Sequence, residues 1–199
     1  MIEVVDRDGA VHLLRGGAVV ALATDTVYGV AAALTHPDAV ATLFAVKHRP
    51  ASTALPVLVG SLDAARELAT SWSDIARRLS TAFWPGPLTL VVACPRELAD
   101  LVGSNESSAG VRVPDDEALR SLLVETGPLA VTSANEHGHP PCRSAAEVLE
   151  VFAASAVAGV LDGGVRRGEV STVVEVNGEQ WRVVREGAIT TEQLTLVLD

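Results

Sequence analysis

The run AVVALAT (18–24), which follows Gly16-Gly17, constrains the fold more than any other stretch of the chain. It is β-branched and continuously apolar, without the alternation of a strand that keeps one face in water, so it reads as a buried strand. Such a strand needs cover, and helix signals alternate with strand signals along the rest of the sequence. Pro37 and Asp38 suit a first helical turn, and Val40, Leu43 and Phe44 repeat at i, i+3, i+4. Pro50 biases Arg49 away from the α region, so this helix is expected to stop there.

Ser61 and Ser73 are the N-caps of two further predicted helices. In the second, Ile75, Leu79, Ala82 and Phe83 line one face until WPGP (84–87) breaks it. LTLVVAC (88–94) and GVRVP (110–114) read as strands. Asp115, Asp116 and Glu117 begin a helix carrying Leu119, Leu122 and Leu123, which Gly127 and Pro128 end. LAVTSAN (129–135) is a strand running into a polar turn. Ser144 and Glu147 form an S-x-x-E capping box for a helix using Val148, Leu149 and Phe152. STVVEV and QWRVV flank Asn177-Gly178, a strong hairpin signal. Helical crossovers together with a hairpin imply an α/β (α+β) fold with a mixed parallel and antiparallel sheet. No repeat or long linker divides the chain, so residues 1–199 are expected to form a single domain.

Composition removes several function classes. A formal net charge of −10 argues against a broad basic surface for holding nucleic acid non-specifically. No apolar run reaches the ~18 residues of a membrane span. The opening MIEVVDRDGAVHLL lacks the basic-then-apolar order of a secretory leader, so a cytoplasmic protein without a membrane partner is expected. Cys94 and Cys142 give neither a disulfide framework nor a zinc-finger spacing. HGHPPC (137–142) matches no structural zinc pattern either, so exposed turn residues and no metal site are expected there. The chain has no G-x-x-x-x-G-K-[ST], no G-x-G-x-x-G after a strand, and no G-x-S-x-G to make Ser133 a nucleophile.

What remains is a set of polar clusters at strand ends: Thr24, Asp25 and Thr26; Lys47 and Arg49; Ser107, Ser108 and Arg112; Thr132, Ser133 and Asn135; Ser171 and Thr172; Arg185. In open α/β sheets ligands gather where strand ends face a common crevice. Together these clusters describe a pocket rich in hydroxyls and cations, without a carboxylate pair or a Cys-His pair. That inventory suits an anionic substrate and a phosphoryl or nucleotidyl transfer, which needs charge neutralisation and positioning. Lys47 is the one lysine beside fourteen arginines. It marks either a cationic helix end or a site that needs a compact, rotatable ammonium.

TDTVYGV, KHRP, FWPGPLTLVV, VRVP, TSAN, STVVEV and VVREGAI, in this order and at these distances, resemble the YrdC family of threonylcarbamoyl-AMP synthases. The resemblance implies a twisted mixed sheet with flanking helices and a large concave cleft. It implies synthesis of L-threonylcarbamoyl-adenylate from L-threonine, bicarbonate and ATP with release of pyrophosphate, usually with Mg²⁺. A downstream threonylcarbamoyl transferase complex would pass the group to an adenosine of tRNA, and some members bind double-stranded RNA, weakly if at all here. The family's threonine-binding positions fall on Thr26, Arg112, Thr132 and Ser171. Its ATP-binding positions fall on Lys47, Arg49, Thr53, Ser108, Ser133, Ala134, Asn135, Cys142 and Arg185, with Lys47 and Arg49 as the catalytic pair. The separate C-terminal domain of longer members is not in this sequence, so the short form, or a truncated one, is expected.

The chain departs from the family pattern at several positions. Ala23 stands where proline is usual, Thr53 where Lys or Asn is usual, and Leu58 where His is frequent near threonine. Pro141 or Cys142 replaces a nucleotide-contacting serine, and Glu186 places an acid beside Arg185. A paralogue that adenylates a different carbamate is the alternative these departures allow. A non-catalytic RNA-binding module is another, and it would need Arg143, Arg166, Arg167 and Arg182 to form one basic face.

Overall fold

The run at 18–24 forms a strand whose five residues Val19–Ala23 are all buried. It belongs to a computed structural model that describes residues 2–47, 54–136 and 138–199. Among the described residues the elements run β1 (Glu3–Val5), α1 (Arg7–Arg15), β2 (Val19–Ala23), β3 (Tyr28–Ala33), α2 (Pro37–Val46), β4 (Val57–Leu58), α3 (Leu62–Leu68) and α4 (Asp74–Phe83). They continue as β5 (Leu88–Ala93), α5 (Arg96–Leu101), β6 (Ser108–Arg112), α6 (Glu117–Thr126), β7 (Leu129–Ser133) and α7 (Ala145–Val151). Last come β8 (Val157–Leu161), β9 (Thr172–Asn177), β10 (Gln180–Arg185) and α8 (Thr191–Leu198).

The ten described strands make one sheet in the order β1-β8-β2-β3-β7-β4-β6-β5-β9-β10. The pairs β1–β8, β2–β8, β4–β6 and β5–β9 are parallel, and the remaining neighbours are antiparallel. The expected mixed sheet is therefore what forms.

Strand alternation sorts side chains onto two faces. Val19, Ala21, Val30, Ala32, Leu88, Leu90, Ala109, Val111 and Val174 join a first core with α2, α3, α4, α5, α7 and α8. Val20, Leu22, Ala31, Ala33, Leu58, Leu129 and Val131 join a second, smaller core under α1 and α6. Helical cover on this second face draws apolar residues from β2, β3, β4 and β7. Beyond them, β6, β5 and β9 turn Ser108, Gly110, Thr89, Val91 and Val173 into a groove.

Most helix starts follow the expected chemistry. Ser61, Ser73 and Asp116 accept from backbone amides three residues on, as N-caps do. Gly127, at φ 78°, closes α6. Three details differ. In α4 the buried residues are Ala76, Leu79 and Ser80, while Ala82 is exposed, because the core-facing stripe runs through 76, 79, 80 and 83. The Ser144–Glu147 box is half formed: Ser144 caps Glu147 N, but the Glu147 carboxylate accepts from Arg143 N, one residue earlier. The complete capping box lies at Thr190 and Gln193. The hairpin loop is Gly178-Glu179, since Asn177 pairs with Gln180 as the last residue of β9. Glycine, at φ 60°, takes the first loop position.

Thr172, fully buried at the start of β9, ties down the segment after β10. Its hydroxyl donates to Ile189 O at 2.6 Å and accepts from Gly187 N and Ile189 N at 2.9 and 3.0 Å. Gly187 is required there: a Cβ would stand 2.1 Å from Val170 O. Thr172→Val keeps the shape and strands the two buried backbone groups of Ile189 and the partly buried amide of Gly187, so a stability loss of about 2 kcal/mol is expected in urea unfolding. Thr172→Ser should stay close to the wild type.

Candidate active site

The turn between β2 and β3 carries Thr24, Asp25 and Thr26, and the end of β6 carries Arg112 against it. Arg112 is 5% exposed. Its Nε donates to Gly86 O at 3.0 Å, Nη1 to Thr26 Oγ1 at 3.3 Å and Nη2 to Asp25 Oδ1 at 2.6 Å. The WPGP break thus serves the site by offering its Gly86 carbonyl. Three of the five guanidinium protons are engaged in these bonds, leaving one on each terminal nitrogen for a ligand.

Around this pair lies a hollow of about 130 Å³ whose lining includes Thr26, Leu58, Thr132, Ser133 and Ser171. Arg185, at the end of β10, reaches the same wall. Its Nη2 donates to Ser171 O at 2.8 Å and approaches Ser171 Oγ at 3.3 Å. Thr89 Oγ1 lies 3.0 Å from Ser171 Oγ. Burial lowers the Arg112 pKa from its ordinary value, with Asp25 opposing that shift. Burial and the positive charge of Arg112 lower that of Arg185. Both remain cations at any working pH, because arginine starts so high. Two facing cations with one bonded carboxylate leave the hollow net positive inside a chain of net charge −10.

The hollow does not end at Arg185. A groove shares Pro56, Thr89, Ser171 and Arg185 with it and continues over Ser108, Gly110 and Val173 on the open sheet face. The segment 162–171 crosses the 24–26 turn. Tyr28 holds its start by donating toward Asp162 Oδ1 and Gly164 O, and by accepting from Gly163 N. Burial raises the Tyr28 pKa, so the phenol keeps the proton it donates. At Gly168 a Cβ would stand 2.9 Å from the Thr26 backbone, which shows how closely the strap lies.

Residues 12–187 match the model of the Sua5, YciO and YrdC family, described as "Telomere recombination". The chain belongs to the Sua5/YciO/YrdC family. A Mycobacterium tuberculosis relative is 38% identical over 190 residues, covering 95% of this chain and 87% of its own length. The threonylcarbamoyl-AMP synthase of Bacillus subtilis is 34% identical over 192 residues, covering 95% of this chain and 55% of its own. The crystal structure of Pyrococcus abyssi Sua5 complexed with L-threonine superposes with a TM-score of 0.90 at 31% identity, covering 98% of this chain and 60% of that one. This Sua5/YciO/YrdC chain therefore spans little more than half the length of those two relatives.

Of the positions singled out from the sequence, Thr26, Arg112, Thr132, Ser133, Ser171 and Arg185 come together in the hollow, and Ser108 lies in the adjoining groove. Arg49 and Thr53 lie outside the described residues, as does His137. Lys47 caps α2, and its ammonium leaves that helix to donate to Ser133 O at 2.8 Å, to Asn135 Oδ1 at 2.6 Å and to Asn135 O. Ala134 is fully buried, and its amide and carbonyl are engaged with Tyr28 O and Cys142 N. Cys142 is buried too, which corrects the expectation of an exposed turn across 137–142, although Gly138, His139 and Pro140 are exposed. Burial raises the Cys142 pKa, and the Glu147 carboxylate adds to the effect.

Glu186 does not face Arg185: its carboxylate accepts from Thr191 N at 3.0 Å at the start of α8, a bond set that lowers its pKa. Thr172 is a structural residue. Among the residues that received no individual role from the sequence are Thr89, which lines the hollow, and Asp25, which pairs with Arg112 beside it. Thr89 was visible as the polar exception in LTLVVAC, and Asp25 as the acid between two threonines. The Asp25–Arg112 side chains are 10% and 6% exposed. Removing one partner leaves a buried charge without compensation, so Asp25→Ala is expected to lower the unfolding free energy by roughly 3–5 kcal/mol. The pair Asp25→Ala/Arg112→Met should recover part of that loss in the same denaturation experiment.

Proposed function

We propose that this chain is a nucleotidyltransferase that forms L-threonylcarbamoyl-adenylate from L-threonine, bicarbonate and ATP, releasing pyrophosphate, as the first step of tRNA threonylcarbamoyladenosine synthesis. The observation that carries this reading is the junction of two compartments, a small hydroxyl-lined hollow around Arg112 and a longer groove, at Ser171 and Arg185. The hollow suits a small amino acid and the groove a nucleotide. The name of the Bacillus subtilis relative and the ligand of the Pyrococcus abyssi structure support the same pairing.

On this reading Arg112 grips the amino acid carboxylate through its two remaining terminal N–H groups, a bidentate contact that lysine makes less well. Thr26, Thr132 and Ser171 orient the amine and the side-chain hydroxyl. The amine and bicarbonate give a carbamate with loss of water. A carbamate oxygen then attacks the α-phosphorus of ATP, and pyrophosphate leaves. Arg185 and Ser108 hold the nucleotide side, and the family resemblance adds Arg49 and Thr53. Lys47 brings positive charge to the 133–135 turn, whose Ser133 lines the hollow. No side chain acts as a nucleophile, so catalysis is positioning, charge stabilisation and exclusion of water.

Mg²⁺ has no cage among the described residues, where no three His, Cys, Asp or Glu side chains gather. Such a composition fits an ion that arrives on the ATP phosphates. Residues 1–199 would act as one YrdC-like domain in the cytoplasm, handing the product to a transferase complex. Among the described residues no helix is long and apolar enough to cross a membrane. The RNA-binding reading is the weaker one, because Arg166 pairs with Asp116 and Arg182 with Glu175 and not with a shared basic face.

Pyrophosphate release from ATP, Mg²⁺ and bicarbonate, with the adenylate identified by mass, tests the reading. Release that depends on L-threonine and gives the threonylcarbamoyl-adenylate mass is expected. Release that ignores threonine but responds to carbamoyl phosphate would point instead to a different carbamate, with Leu58 in the hollow as the first residue to suspect. Lys47→Ala is expected to lower turnover ~10²-fold with an unchanged circular dichroism spectrum. Wild-type turnover from that variant removes Lys47 from the mechanism.

A further inference from the structure

Pro56, Thr89, Ser171 and Arg185 line both the hollow and the groove, and of these Thr89 has no part yet in the reaction. Its side chain is buried in β5, and Oγ1 lies 3.0 Å from Ser171 Oγ, its one side-chain bond among the described residues. Ser171 Oγ also accepts from Arg185 Nη2 at 3.3 Å. The two hydroxyls hold two protons and four lone pairs. Their mutual bond uses one proton and one lone pair, and Arg185 uses a second lone pair. One proton is therefore left to give, whichever hydroxyl donates to the other. Arg185 spends Nη2 on Ser171, while its Nε and Nη1 protons make no bond among the described residues. No Asp or Glu lines either compartment among those residues. The shared wall thus offers a hydroxyl proton beside a guanidinium, the donors that a small oxyanion takes.

We propose that Thr89, Ser171 and Arg185 form a bicarbonate subsite in that wall, which also holds the carbamate made from it. The inference rests on reading the hollow as the amino acid compartment and the groove as the nucleotide one. In the product a single carbon with its oxygens separates the amino acid nitrogen from the phosphorus, so the group that supplies this carbon sits where the compartments meet. The amine lone pair forms the N–C bond, the C–OH bond of bicarbonate breaks, and the hydroxide leaves as water with one amine proton. The direction of the hydroxyl bond follows from the same count. An amine N–H accepted by Ser171 fills the second lone pair of that oxygen, beside the one Arg185 holds. Ser171 then has to donate to Thr89, and the proton that meets the anion is the one on Thr89. Bicarbonate needs Thr89 directly, and the other two substrates do not.

Initial rates of pyrophosphate release by the full chain, with each of bicarbonate, L-threonine and ATP varied in turn in buffer freed of carbon dioxide, test the subsite. Thr89→Val keeps the shape of the strand residue and removes the proton. It is expected to raise the KM for bicarbonate about tenfold, the value of one hydrogen bond to an anion, and to move the other two KM values less than about twofold. Thr89→Ser, which restores the hydroxyl, should bring the bicarbonate KM back toward the wild-type value. Nitrate, a planar oxyanion of the same size, should inhibit the wild type competitively against bicarbonate, a measurement that needs no variant. A Thr89→Val enzyme with an unchanged bicarbonate KM overturns the proposal. So does one that raises all three KM values equally, which marks a purely structural residue, and so does nitrate that competes with L-threonine or ATP instead. In each of these cases the adenylate reading stands. A wild type whose pyrophosphate release needs neither L-threonine nor bicarbonate removes that reading itself, and the subsite falls with it.

Discussion

A sheet of ten strands has more surface than two helices can cover, and the placement of α1 and α6 decides where the uncovered part lies. On the first face six helices share the work, and the strands answer with Leu88, Leu90, Ala109, Val111 and Val174. On the second face α1 and α6 bury Val20, Leu22, Ala31 and Leu129, and the apolar supply stops at Leu58 and Val131. Because alternation is strict within a strand, a chain that turns Leu88 and Leu90 into one core must turn Thr89 and Val91 to the other side. The open face is therefore built from the residues that the covered face did not take. They are Thr89, Val91, Ser108, Gly110 and Val173, and the cleft is a consequence of the helix count.

The buried charge at the head of that cleft is stabilised by the same geometry. Arg112 closes β6, and in β6 its parity places it on the open side, where the 24–26 turn and the 84–87 loop meet it. Taking a guanidinium out of water is expensive unless its protons find oxygens and its charge finds a counter-ion. Gly86, Thr26 and Asp25 supply these from two different connections. The arrangement stops short of full satisfaction, and a fully satisfied arginine would have nothing to offer a ligand. Arg185 adds a second cation with no bonded carboxylate among the described residues, so the excess positive charge lies at the boundary between hollow and groove. An anion that bridges the two compartments relieves both.

Much of this was legible in the residues. The buried central strand, the serine and aspartate caps, the Gly127 stop and the final hairpin each rest on local chemistry that tertiary contacts did not override. The hollow itself was legible as a set of hydroxyls and cations at strand ends, because five of the elements carrying them were recognisable. Several elements escaped, among them α1, β3, α5 and α8, and two more were short or compositionally mute. β4 is two residues long, and β8, VAGVL within a Gly- and Ala-rich stretch, lacks the β-branched and aromatic density that marks a strand. The direction of a side chain escaped too. Nothing local says that Glu186 turns to Thr191 and not to Arg185, or that Asp25 turns inward to Arg112, since both depend on what another strand brings alongside.

Lys47 is the case where composition and geometry answer one another. Three oxygens of a single tight turn, two main-chain carbonyls and the Asn135 side chain, converge on its ammonium. An ammonium presents three protons around a point and can rotate to meet acceptors that curl about it. A guanidinium presents five protons in one plane, so in this buried place some would miss the turn and remain unpaired. Ser133 Oγ donates to the same Asn135 oxygen at 2.7 Å, and Asn135 Nδ2 reaches Glu136 O and His139 O, so the whole turn is locked around one charge. Helix α2 delivers that charge from its C-cap, where a lysine was to be expected in any case, but the partner it stabilises is the end of β7. The two readings of this residue were never exclusive: the helix end sets the origin of the side chain, and the 133–135 turn sets its destination at the edge of the cleft.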